Sequence, residues 1–136
     1  MIDLPNAAAI RAALRQPLPP QLHDLIANRL KLASDNGVAD MTHILVVQPN
    51  DTEADIIEAI GFSPLVDPLS AGRFGTAEFQ PYWAWLQDLG GWYELIHTVG
   101  NSGFAFILLI DKADGVLPEL LRLCEGYADR SGAPCV

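Results

Sequence analysis

The sequence predicts an α+β fold: a small mixed or antiparallel sheet in a split β-α-β-β-α order, preceded by two helices. Three observations predict it. Thr42 to Gln48 is short, β-branched and apolar on both faces, as an interior strand should be. Trp92–Val99 and Phe104–Ile110 flank Gly100-Asn101-Ser102-Gly103, a strong hairpin turn. Helically spaced apolar residues precede, separate and follow these strands. A chain of 136 residues suits one domain, with a helical pair at 1–37 and an α+β core at 42–128.

In chain order, Asn6 is placed to cap a helix from Ala7 to Arg15. Pro17 to Pro20 stops it and opens a second helix, Pro20 to Asp35, with Gly37 just past its end. Leu22, Leu25, Ile26, Leu30 and Ala33 form the buried stripe of that helix, and Asp24, Asn28, Arg29 and Lys31 its solvated face. After the first strand, Asn50 and Glu53 have capping-box spacing. Ile56, Ile57 and Ile60 then face the core, and Gly61 closes the helix.

Positions 62 to 78 hold Pro64, Pro68, Gly72 and Gly75 and read as a long loop, of the kind that often carries function. Pro81 to Leu89 reads as an aromatic helix, with Tyr82, Trp85, Leu86 and Leu89 at i, i+3, i+4, i+7 and Trp83 off that stripe.

Around the hairpin, Val99 should pair with Phe104, His97 with Phe106 and Leu95 with Leu108. The Phe104 strand, apolar on both faces, belongs in the centre. The Trp92 strand carries Glu94, His97 and Thr98 and suits an edge. This makes three strands, and a fourth if Cys135-Val136 pairs at an edge, where Pro134 would confine it. Asp114 or Gly115 caps the last helix and Pro118 sits in its first turn, with Leu117, Leu120, Leu121 and Cys124 inward.

The formal net charge is −9, which argues against nucleic acid or an anionic membrane surface as partner. The longest apolar run, Gly103–Ile110, is far below the ~20 residues of a membrane span. The N-terminus does not read as a signal peptide, and two cysteines do not make a disulfide framework, so a reducing cytoplasm is the expected compartment.

Chemistry is thinly signalled. His97 falls on an apolar strand face and His43 opens the first strand; they would suggest a metal only if they shared a face on adjacent strands. Asp51, Glu53 and Asp55 complement a helix dipole. Asp111-Lys112-Ala113-Asp114-Gly115 lacks the remaining ligands of a calcium loop. Cys124 is buried and inert, and Cys135 has no activating cation nearby. No phosphate, dinucleotide or nucleophile-elbow motif occurs, and no cofactor or metal is expected.

Arg73 is the only Lys or Arg between Lys31 and Lys112, a suitable fork for an anion or a partner carboxylate. Trp83, Trp92 and Tyr93 are the aromatic binding candidates. The expectation is therefore a non-catalytic protein-binding or regulatory module, self-association included. The alternative is an anionic-ligand binder or enzyme with a pocket between the 62–79 loop, the 81–89 helix and the sheet. Arg73 would hold the anion, His97 would shuttle protons, and Trp83 or Trp92 would stack.

Overall fold

The computed structural model describes residues 1–65, 82–99 and 104–128. Its elements are β1 (Ile2–Leu4), α1 (Ala7–Leu14), α2 (Pro20–Asp35), a 3-10 turn (Ala39–Met41), β2 (Thr42–Val47), α3 (Glu53–Ile60), β3 (Tyr82–Asp88), β4 (Trp92–Val99), β5 (Ala105–Asp111) and α4 (Pro118–Ala128). The strands form one mixed sheet in the order β1-β2-β5-β4-β3. Strands β2 and β5 run parallel; the other three pairs are antiparallel. The fold is α+β, as expected, with five strands among the described residues rather than three or four. The C-terminal residues proposed for a fourth strand lie outside the described residues.

Two cores sit on the two faces. Ile44, Val46, Trp92, Ile96, Ile107 and Leu109 pack with Ile10 of α1 and Leu22 and Ile26 of α2. Leu45, Val47, Tyr93, Leu95, Leu108 and Ile110 pack with Ile56 and Ile60 of α3 and Leu120 and Cys124 of α4. Successive strand residues point to opposite faces, so the all-apolar runs in β2 and β5 serve both layers. The Phe104–Ile110 segment is central, as its composition predicts, and the hairpin has the expected register: His97 faces Phe106 and Leu95 faces Leu108.

Local signals hold several boundaries. The Asn6 side chain accepts the Ala9 N–H, and Pro20 opens α2. Gly61 closes α3 at φ 83°, a conformation open to glycine at little cost. The α3 cap differs from expectation: Thr52 and Asp55 form the capping box, while Asn50 adopts φ 73° in the preceding turn. Ile57 is exposed rather than buried, because an eight-residue helix presents only Ile56 and Ile60 inward.

Tertiary structure corrects three further expectations. The segment expected as an aromatic helix is strand β3. Gly90, at φ +88°, and Gly91 form a tight turn that returns it along β4, closed by the Leu89 N–H bond to the Trp92 carbonyl, 2.8 Å. Strand β4 is consequently interior, and β3 takes the edge. Arg29 is not on the solvated face of α2. Its guanidinium reaches across to Glu94 of β4, Nε to Oε2 2.6 Å, with a second bond from Nη2 to Oε1. That pairing is what lets a carboxylate only 1% exposed sit in an interior strand. Among the described residues, no helix is long and apolar enough to cross a membrane.

Candidate functional site

Of the residues singled out from the sequence, Trp92 and Tyr93 fall on opposite faces of the sheet. Trp92, Tyr93 and His97 are all buried in β4. Trp92 packs on the α1/α2 face, whereas Tyr93 packs on the α3/α4 face. By strand alternation His97 shares the face of Tyr93. Tyr93 lies under the Lys112 ammonium, 4.2 Å from its ring centre, and burial raises its pKa. Trp83 stands opposite Thr98 in the β3–β4 ladder. Arg73 lies outside the described residues, as does most of the 62–79 loop. The pocket expected between that loop, an 81–89 helix and the sheet therefore loses its helical wall.

A cross-strand row does join both histidines. His43, Phe106 and His97 are ladder partners across β2, β5 and β4. Phe62, just past α3, stands edge-on to both Phe106 and His97, with ring centres 5.3 and 5.2 Å apart. The histidines share a face but not adjacent strands. Phe106 separates them by two strand spacings, roughly 10 Å, too far for one metal ion. Among the described residues no group of His, Cys, Asp and Glu could hold a metal.

His43 Nε2 instead meets Asp3 Oδ1 at 2.5 Å, a diagonal pair across β1 and β2. His97 is 3% exposed, and burial pulls its pKa down to about 4, so it is a neutral ring at physiological pH. Burial pushes the Cys124 thiol up to about 12, which leaves it unreactive. The acids near α3 have structural roles. Asp51 accepts the Gln48 N–H and pairs with the Met1 amino group, Glu53 accepts from Ser63, and Asp55 completes the capping box.

The feature that sequence reasoning missed is β3 as the last strand of the sheet among the described residues. Strand β3 pairs with β4 over seven consecutive residues, Tyr82↔Val99 to Asp88↔Tyr93, with no bulge. It stands last in the sheet order. The Leu89–Trp92 bond fixes which main-chain groups point where. Antiparallel ladders alternate hydrogen-bonded and non-hydrogen-bonded pairs. Counting back from Leu89, the N–H and C=O of Gln87, Trp85 and Trp83 face β4. Those of Asp88, Leu86, Ala84 and Tyr82 face away from the sheet. The available signal was the alternation of Ala84 and Leu86, both buried, with exposed Gln87. The only charge on the strand, Asp88, is bound by Lys112 Nζ at 2.5 Å and by the Gly90 N–H at 3.0 Å, which holds its carboxyl below the usual range.

Such a margin has one chemical capacity: it offers alternating donors and acceptors to another extended chain. No family model matches the chain, and neither a curated protein nor a solved structure was found to match it.

Proposed function

We propose that this protein is a non-catalytic binding module that takes up an extended segment of a protein partner along β3. One observation carries the reading. Among the described residues β3 is a seven-residue edge strand, continuous in register, with no proline, no bulge and one neutralised charge. Edge strands are ordinarily shortened, charged or bulged to prevent pairing, and strands average five to six residues. The acidic character of the chain fits a soluble binding protein.

The test is site-specific photo-crosslinking in the cell, with the crosslinking group at Gln87, an exposed position at the end of β3. A discrete protein adduct is expected there and not at the exposed α4 position Glu119. Ala84→Pro removes one outward N–H and should abolish the adduct. No adduct at Gln87, or one that survives Ala84→Pro, would contradict the reading.

A further inference from the structure

We infer that the segment taken up by β3 is β3 of a second copy, so that two five-stranded sheets join antiparallel into one across a two-fold axis. The inference rests on the edge-binding reading and names the partner.

Register is the first argument. The outward groups belong to Tyr82, Ala84, Leu86 and Asp88, and an antiparallel partner must place its own outward residues opposite them. With a two-fold axis at Trp85, Ala84 lies opposite Leu86 of the second copy and Tyr82 opposite Asp88 of the second copy. Every outward residue of the described strand then has a partner. An axis at Leu86 sets Tyr82 opposite Gly90, in the turn, and so leaves it without a strand partner. Closed two-fold pairing is also the commonest way identical chains associate.

Charge is the second argument. Two copies carrying −9 each repel unless they meet where neither is charged. The acids Asp3, Asp51, Asp55 and Glu58 gather in one depression against β1 and α3, at the other margin of the sheet. On β3 the only charge is Asp88, already bound by Lys112. In the Trp85-centred register the two Asp88 positions lie six residues apart, roughly 20 Å, beyond a Debye length of about 8–10 Å. A basic partner would be drawn to the acidic margin. An uncharged strand is the complement of β3, and β3 itself is such a strand.

The experiment is light scattering on the full chain, run beside the Gln87 crosslinking. The wild type should have twice the mass of its 14.7 kDa chain, and Ala84→Pro should have the monomer mass. Trp85→Lys and Trp85→Glu place like charges opposite each other at the axis. Each should be monomeric alone, and an equimolar mixture should restore the dimer. This charge pair decides the matter even if Ala84→Pro fails to fold.

A wild type that stays monomeric up to its solubility limit overturns the inference. A dimer that neither Ala84→Pro nor the Trp85 variants dissociate overturns it too, because the interface then lies elsewhere. A monomer whose Gln87 adduct contains a different protein removes the second copy but keeps the edge-binding reading. A monomer without any adduct removes both.

Discussion

The two margins of the sheet are built differently. Strand β1 is three residues long, carries Asp3 at its centre and ends against Pro5, which has no N–H to offer. Each of these is a known means of preventing edge pairing. Strand β3 is seven residues long, has no proline within it, and has its one charge neutralised. Among the described residues, then, one margin carries devices against pairing and the other carries none within its strand. A protein that only needed to stay soluble would protect both. The contrast is what motivates the proposal of a binding role for the main chain of β3.

The asymmetry between the margins depends first on β4 being an interior strand, and the largest effect is expected there. Arg29→Ala leaves Glu94 buried and unpaired, which should cost about 3–5 kcal/mol in urea denaturation. Replacing both Arg29 and Glu94 by leucine should recover most of that loss. If Arg29→Ala is neutral, the pair does not hold β4 in place.

Next comes proline at Gln87, whose N–H faces β4. Losing that ladder bond should cost on the order of 2–3 kcal/mol, whereas Ala84→Pro, whose N–H faces outward, keeps the β3–β4 ladder and should cost less, about 1 kcal/mol for fitting a ring at a buried site. Equal losses from the two prolines would mean that the inward and outward residues of β3 are not as assigned.

Acid reports on the interior in another way. His97 is neutral in the fold with a pKa of about 4, against 6.5 when unfolded. The unfolded chain therefore binds the extra proton between those values, and stability falls as pH drops from 6.5 towards 4. The change should be on the order of 3 kcal/mol, and His97→Gln should flatten it. A wild-type profile that is flat over this window would place His97 in a wetter site. The smallest effect belongs to the protected margin. Asp3→Ala removes a half-exposed partner of His43 and should change stability by under about 0.5 kcal/mol without changing the mass in solution.

Much of this architecture was legible in the sequence. The bounds of α2, the central position of the Phe104 segment and the His97–Phe106 register all arise from local punctuation and alternation. The two margins were the illegible part. Tyr82-Trp83-Ala84-Trp85-Leu86 satisfies helical and strand periods together, and a short apolar run cannot separate them. Its true class was signalled by Gly90-Gly91, which can turn a hairpin as well as end a helix. Strand β1 is too short to show any period. The Arg29–Glu94 pair spans 65 residues, so neither side chain signals the other. Reading β4 as an edge was the direct consequence: once β3 is taken for a helix, Glu94 has no reason to be inside.

Residue-resolved amide hydrogen exchange along β3, under conditions of association, puts the pairing role of this strand to the test. The N–H groups of Trp85 and Gln87 bond to β4 and should be protected at every protein concentration. Those of Ala84 and Leu86 face outward and should become equally protected as the protein associates, and lose protection on dilution or in Ala84→Pro. If Ala84 and Leu86 exchange rapidly at every concentration and with every partner while Trp85 and Gln87 stay protected, β3 is an ordinary solvated edge and its role in binding is contradicted.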